Sequence, residues 1–282
     1  MKSYFYKIQC ITNLHMGSGE INFNVIDNEV ERDPVDNRPV MFSSGVKGAL
    51  KDHFHNQGVG MDTIKDIFGS EIDRNPNENS VPGKTRFLTA CLILLPFRAA
   101  FGRYPYYLAT TKGILQQFGS LYKNIKGTEL VEGFEAAVSG LDGKETYGIE
   151  TDPVKLEDYK YSNIQPVPKA ISKALGFFVN NESIQKVMII PDFDFGGGRN
   201  RVVLPVLARN RLDAQGISQS LWYEEVVPHE SVFYLPVLSN ETADGDRALD
   251  TFHSSITAGG GSLVQFGANA TIGYGLTRVS AL

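Results

Sequence analysis

Ser3-Tyr-Phe-Tyr-Lys-Ile-Gln-Cys-Ile-Thr12 is rich in β-branched and aromatic residues and reads as a first strand. Asn13-Leu14-His15-Met16-Gly17-Ser18-Gly19-Glu20 follows as a glycine-broken turn. Residues 21–42 are short apolar pieces separated by charges, which predicts an ordered loop or hairpin. Ser44 is placed to cap a helix, and Val46, Leu50 and Phe54 recur at helical spacing, so 45–56 is expected to be helical. Asp62–Phe68 makes a second short helix, and the apolar run Arg86–Leu95 a buried strand. These pieces compose a strand–helix–strand half.

The second half repeats the plan. Val187–Pro191 reads as a strand, Asp192–Gly198 as a breaker cluster and Val202–Ala208 as an apolar run. Leu221–Val227 and Ser231–Leu238 flank Pro228-His229 and are expected to pair with each other. Ala243–Ile256 is helical, with Leu249, Phe252 and Ile256 on one face. Leu263–Phe266 and Leu276–Val279 are strands around the glycine-rich turn Gly267–Gly275. Between the halves, 110–140 carries a weaker helical pattern, and 141–166 is charged and irregular, in the manner of an insertion. Residues 70–85 are polar and turn-rich, a mobile loop. The order strand, helix, strand, strand, helix, strand is that of an α+β, ferredoxin-like or RNA-recognition-motif-like fold with inserted loops. No change in composition marks a linker, so one elaborated domain over 1–282 is expected.

Composition narrows the function. With 42% hydrophobic and 21% charged residues the chain is globular and not disordered. The longest apolar stretch, Ala90–Phe97, is far shorter than a bilayer requires, and Met1–Lys7 holds no signal-like apolar run, so no membrane partner is expected. Cys10 and Cys91 are isolated among apolar neighbours; they read as buried thiols of a reducing, cytoplasmic protein and do not fit zinc-ligand spacing. A formal net charge of −5 argues against strong autonomous nucleic-acid binding but leaves room for a local basic groove. The chain has no nucleophile elbow, no His-Glu-x-x-His and no dinucleotide fingerprint, which disfavours common hydrolase, zinc-enzyme and oxidoreductase chemistry.

Four motifs remain, each with a plain structural alternative. Gly267-Ala-Asn-Ala-Thr-Ile-Gly-Tyr-Gly275 lets backbone amides approach a phosphate, or is a β-turn between the last strands. Ser43-Ser-Gly-Val-Lys-Gly-Ala-Leu-Lys51 offers a helix N-terminus with Lys47 and Lys51 on one face, or a capped helix with solvated lysines. Asp27 interrupts an apolar segment and suits a cation ligand or a base, or caps a backbone amide. His15 is open between an RNA contact, a base and a structural hydrogen-bonder. Arg209-Asn-Arg-Leu-Asp213 with Leu221-Trp-Tyr-Glu-Glu225 suits nucleic-acid backbone and base stacking, as does Arg98 with Arg103 beside Tyr104, Tyr106 and Tyr107; otherwise the first is a solvated hairpin with Trp222 in the core.

Taken in order, these motifs resemble the RAMP superfamily of CRISPR proteins, and within it the repeated backbone subunit of the type III-B (Cmr) effector complex. His15-Met-Gly-Ser-Gly19 is similar to the family's opening turn, and Val25-Ile-Asp27 with Val30-Glu-Arg32 to the segment carrying its nuclease aspartate. Ser44-Gly-Val-Lys-Gly-Ala-Leu50 resembles its helix start, although Gly45 and Val46 stand where Ser and Leu are usual. Arg209–Asp213 and Leu221–Glu225 resemble the arms of its thumb hairpin, which here would run roughly over 199–225. Gly267–Gly275 resembles its C-terminal loop, with Ala268 replacing a glycine. The type III-A backbone subunit shares the aspartate and thumb; Trp222-Tyr-Glu-Glu225 favours the Cmr branch.

The resemblance implies a subunit stacked in several copies along a CRISPR RNA, beside other Cmr subunits, that cuts the complementary target RNA at regular intervals. The products would carry 2′,3′-cyclic phosphate and 5′-OH ends. It implies Asp27 as the catalytic residue, as base or as ligand of Mg²⁺ or another divalent cation, with His15 and Glu224 as secondary candidates. Ser44, Lys47, Lys51, Arg98, Arg209, Arg211, Gly267, Asn269, Gly273 and Gly275 are the expected RNA contacts. The alternatives are a non-catalytic scaffold of the same fold and, last, an endoribonuclease that matures the guide.

Overall fold

The computed structural model describes residues 1–17, 19, 26–70, 81–191 and 204–282. The first part runs β1 (Ser3–Cys10), β2 (Val40–Met41), α1 (Ser43–Asn56), α2 (Met61–Phe68), β3 (Thr85–Phe87), β4 (Ala90–Phe101) and β5 (Tyr106–Thr110). The middle holds α3 (Lys112–Lys126), α4 (Phe134–Ser139), β6 (Thr146–Gly148), β7 (Val154–Leu156), β8 (Tyr159–Tyr161), β9 (Ile164–Pro166), α5 (Lys169–Leu175) and β10 (Val187–Ile189). The last part contains β11 (Val206–Leu212), β12 (Ser218–Glu225), β13 (Val232–Ser239), α6 (Ala243–Ile256), β14 (Ser262–Gln265) and β15 (Leu276–Ala281).

At the centre, β15, β1, β13 and β4 lie side by side, antiparallel throughout. Counting those four in chain order, the arrangement is fourth, first, third, second, the ferredoxin-like order, with α1 after the first strand and α6 after the third. The expected βαββαβ palm is therefore present. Strand alternation decides which side each residue serves. On β1, Tyr6, Ile8 and Cys10 enter the core under α1, α2 and α6, while Phe5 enters the core under α3, α4 and α5. Phe233, Leu235 and Val237 of β13 take the first side, and Val232 and Tyr234 the second. Phe54, Phe68 and Phe252 lock the three helices of the first side, with ring centroids 5.4, 5.5 and 6.1 Å apart. Such ring pairs contribute ~0.5–1.5 kcal/mol each beyond their buried area. Because both faces are covered, the sheet surface that an RNA-recognition motif uses for stacking bases is not available here. Any RNA site must be built from loops and edges.

Four expectations need correction. First, α1 begins at Ser43, its N-cap is Phe42 in an extended conformation, and Ser44 lies exposed inside the first turn without capping. Second, 221–227 does not pair with 231–238. β12 pairs with β11 in a separate two-stranded sheet, whereas all eight residues of β13 are buried at the palm's centre. An all-apolar strand is stable only between neighbours on both edges and faces; the polar Ser218–Ser220 start of β12 is not. Third, 141–166 is not irregular. Its strands β6 and β9 extend the sheet beyond β10, β7 pairs with β4, and Val154, Leu156 and Ile164 are buried in a third apolar cluster. Fourth, Cys10 is fully buried, with its thiol pushed up to about 12 chiefly by burial, but Cys91 is only half-buried. The expectations for 71–80, for Asp192–Gly198 and for the start of the hairpin at 199–203 lie outside the described residues. The ends of the 70–85 loop are tied together, since Ser70 N donates to the Val81 carbonyl at 2.9 Å.

Candidate functional site

The β11–β12 hairpin leaves the palm beside the first-strand turn. Its root is closed by Leu14 and Val227, which exchange two backbone hydrogen bonds of 2.8 Å. Just above, the Asp27 segment is laid against β12. Asp27 N and Asn28 N donate to the Tyr223 carbonyl at 3.1 and 3.2 Å, and Glu225 N donates to the Asn28 carbonyl at 2.9 Å. Tyr223 N in turn donates to Asp27 Oδ2 at 2.7 Å. Asp27 is thus exposed, yet its backbone and one carboxylate oxygen are fixed. Its Oδ1 has no partner among the described residues.

Successive strand residues point to opposite sides, and Glu224 and Glu225 use both. Each is 4% exposed, which only dense hydrogen bonding makes tolerable for a carboxylate. Glu224 Oε1 accepts from Asn269 Nδ2 at 2.8 Å and lies 3.8 Å from His15 Nε2; its Oε2 lies 3.5 Å from Arg209 Nη1. On the other side, Glu225 Oε1 pairs with Arg32 Nη2 at 2.5 Å and Oε2 accepts from Val30 N at 3.2 Å. His15 is buried, and its Nδ1 donates to the Glu225 carbonyl at 2.7 Å, which assigns Nε2 as the nitrogen facing Glu224.

The C-terminal loop closes over this cluster. Ala268 N donates to the His15 carbonyl at 3.0 Å, and Gly275 N to the Asn13 carbonyl at 2.8 Å. Two of its glycines are sterically required. At φ 72° and 74°, a Cβ on Gly267 would collide with the His15 carbonyl oxygen, and one on Gly275 with the Phe266 carbonyl oxygen. Gly273, at φ 87°, faces open space, and Asn269 adopts the left-handed region at φ 65°. Between this loop and α1 runs a groove of about 580 Å³ lined by Met16, Gly45, Gly48, Ala49, Asp52 and Gly267, among others. A Cβ on Gly45 would sit 2.8 Å from Met16 Cε, the movable end of that side chain. Ser44, Lys47 and Lys51 are not among the groove's lining residues, and at about 100° per residue Lys47 and Lys51 point well away from its centre.

The structure therefore brings Asp27, His15, Glu224, Arg209, Asn269 and the Gly267–Gly275 loop together, while Ser44, Lys47 and Lys51 lie on α1 outside the groove lining. It leaves two expected RNA contacts apart. Arg211 is exposed on the outer part of the hairpin. Arg98 pairs with Glu157 at 3.3 Å beside a different cavity, of about 560 Å³, behind Pro205 and Pro228. Sequence reasoning missed Arg32, Glu225 and Tyr274. Two adjacent acids at the end of a strand were the legible signal for Glu225; Arg32 and Tyr274 had none. Trp222 is half-buried on the hairpin, not in the core. Among the described residues no three His, Cys, Asp or Glu side chains gather as a metal set. A divalent cation at Asp27 has one protein carboxylate to use, the situation in which magnesium draws its other oxygens from water and substrate phosphates.

A ferredoxin-like palm covered on both faces, with a projecting hairpin and a glycine-rich loop meeting at one edge, defines an α+β protein with a groove at that edge. The family model of the RAMP superfamily matches residues 7–278, and the chain belongs to that superfamily. It is 27% identical to the CRISPR system Cmr endoribonuclease Cmr4 of Pyrococcus furiosus over 99% of this chain and 96% of that one. It is 24% identical to the CRISPR system CMR subunit Cmr4 of Saccharolobus solfataricus over 86% of each. Its fold matches a chain of the type III-B Cmr-beta complex bound to cognate target RNA with a TM-score of 0.77, at 22% identity over 100% of this chain and 97% of that one. Oligomeric Cmr4 from Pyrococcus furiosus matches with a TM-score of 0.72, at 20% identity over 100% and 98%.

Proposed function

We propose that this chain is a CRISPR RNA-binding backbone subunit of a type III-B effector complex and an endoribonuclease that cuts guide-paired target RNA. The observation that carries the reading is its end-to-end similarity to a Cmr endoribonuclease, 27% over 99% of the chain. The described residues contain no helix long and apolar enough to cross a membrane.

In this reading the groove between α1 and the C-terminal loop takes the guide backbone. Gly45, Gly48 and Gly267 keep its walls low; Ser44, Lys47 and Lys51, on the part of α1 outside that lining, are the further phosphate contacts of this reading. Sequence specificity then belongs to the guide. Copies of the chain and other Cmr subunits complete the filament. Asp27 meets the target strand. The ribose 2′-oxygen attacks the adjacent phosphorus, an O2′–P bond forms and the P–O5′ bond breaks. The 2′ proton passes to Oδ1 of Asp27, and water returns a proton to the departing 5′-oxygen. The products are a 2′,3′-cyclic phosphate and a 5′-OH. Tyr223 N–H fixes the carboxylate so that little orientation is lost on reaching the reactive geometry. Alternatively Asp27 would hold magnesium or another divalent cation, which would neutralise the phosphate, and Oδ1 is then a ligand and not the base. His15 and Glu224, both buried, hold the surroundings in place.

One observation favours a second reading: Asp27 accepts the Tyr223 N–H, which is what a structural cap does. Target cutting by the complex assembled on guide RNA separates the two. With Asp27→Ala the expected result is retained target binding and loss of the regularly spaced cuts, by roughly 100-fold or more in rate. Unchanged cutting would make the chain a scaffold.

A further inference from the structure

We propose that Arg209 is a positioning residue that ties the C-terminal loop to Asp27 through the thumb root, and not an RNA contact; the inference rests on the reading of Asp27 given above. Arg209 and Trp222 face each other across the β11–β12 ladder. The Arg209 guanidinium lies 6.0 Å from the Trp222 ring and 5.5 Å from the Tyr274 ring, so it is stacked between the hairpin and the C-terminal loop. Its Nη1 is 3.5 Å from Oε2 of Glu224, and the two side chains are only 24% and 5% exposed. Among the described residues only one of its five N–H donors has a partner, so what marks Arg209 as an internal link is its place between two rings and against a buried carboxylate.

Glu224 extends the link. Its other oxygen holds the Asn269 side chain, the residue that carries the loop through a left-handed turn. Tyr274 N donates to the Asn269 carbonyl at 3.3 Å, so both loop residues touching the cluster are joined to each other. On the hairpin side, Tyr223 sits between Trp222 and Glu224 and makes three of the four hydrogen bonds that hold Asp27 and Asn28. The Glu224 charge is buried, and without Arg209 it loses its closest cation. Asn269 and the 222–224 register then lose a shared anchor, and Asp27 loses its placement with them. The geometry makes a loop seated on RNA and a correctly placed Asp27 parts of one network.

The test uses the full complex on guide RNA with Arg209→Ala, Arg209→Lys, Tyr274→Leu and Tyr274→Phe. The expected result for Arg209→Ala is target affinity within about twofold of wild type, an unchanged salt dependence, and single-turnover cutting at saturating target slowed about tenfold or more. Arg209→Lys and Tyr274→Leu should fall between, and Tyr274→Phe, which keeps the ring, should cut as wild type. Weaker binding with a salt slope reduced by about one and a normal rate per bound target would make Arg209 a phosphate ligand and overturn the proposal. Unchanged binding and cutting would overturn it too. Hydrogen exchange on the RNA-free chain gives an arm independent of activity. Arg209→Ala should speed exchange in peptides covering 26–28, 222–225 and 268–274 while leaving β1 and β13 protected. No change at 26–28 would sink the coupling. If the wild-type complex does not cut, the nuclease reading falls, and this exchange pattern alone decides the fate of the link.

Discussion

β12 and β13 are consecutive strands of eight residues each, separated by one tight connection, and they live in opposite environments. Every residue of β13 is buried, whereas β12 is exposed along its first four residues and buried only at Glu224 and Glu225. Leu221 of β12 is 59% exposed and Phe233 of β13 is 0% exposed. The difference shows how one chain separates stability from function. β13 is paired along both edges and packed on both faces, so it holds the palm together. β12 meets the palm only at its root, where two buried carboxylates replace apolar packing. A hairpin attached in that way is cheap to reposition and specific in where its last residues sit, which is what a site at its base requires.

The two strands should respond very differently to substitution. The largest effect is expected for Phe233→Ala, which should destabilise the chain by ~3–5 kcal/mol through a buried cavity. Chemical denaturation of the isolated chain reads it directly, and a loss below ~1 kcal/mol would mean that β13 is not the keystone. Next is Arg32→Ala, which strands the Glu225 carboxylate. About 3 kcal/mol is expected, less if the 30–32 segment peels away and admits water. That result would establish that the hairpin root is held by charge and not by oil.

A smaller effect comes from pH. His253 of α6 stacks on Tyr4 at 3.8 Å, and its Nδ1 lies 3.1 Å from the Tyr6 hydroxyl. Burial holds its proton affinity below the usual 6.5, with Lys126 and Lys2 adding to the effect against Asp250. Burial lowers His53 in the same direction. The unfolded chain therefore binds more protons below ~6.5, so stability is fully present above that pH and declines as pH falls through the window beneath it. Thermal melts between pH ~7.5 and ~5.5 should show the decline, and His253→Phe should flatten part of it. A melting temperature that rises on acidification would contradict the assignment. The smallest effect belongs to Leu221→Ala, within ~0.5 kcal/mol of wild type because the side chain is already in solvent. A larger loss in the isolated chain would show that the outer hairpin is packed against something.

Much of this was legible in residue order. The palm's helices follow from the 3.6-residue spacing in 45–56 and 243–256, and its strands from the β-branched, aromatic and apolar content of 3–12 and 231–238. Pairing was not legible for 218–225. Its turn chemistry, with Pro228-His229 nearby, suits a hairpin to either neighbour, and only the total burial of β13 decides which strand it leaves alone. The short strands between 146 and 166 were missed because three residues are too few to show a period. At the site, Asp27, His15, Glu224 and the glycine loop were nameable from motif order. Arg32 and Tyr274 were not, since a residue's charge or ring says nothing about what lies across a fold.

Local pattern, composition and motif order thus determined the α+β class, the ferredoxin-like order of the core elements, the family and the aspartate to test. Tertiary structure alone decided that the sheet is covered on both faces, that Arg209 is stacked and paired within the chain while Arg98 lies elsewhere, and that Asp27 is fixed through Tyr223. The reason is physical. Periodicity records how each element meets the core, within a few residues of itself. The environment of a charge depends on segments two hundred residues apart, such as Asp27 and Tyr223, which only the folded chain brings to hydrogen-bonding distance.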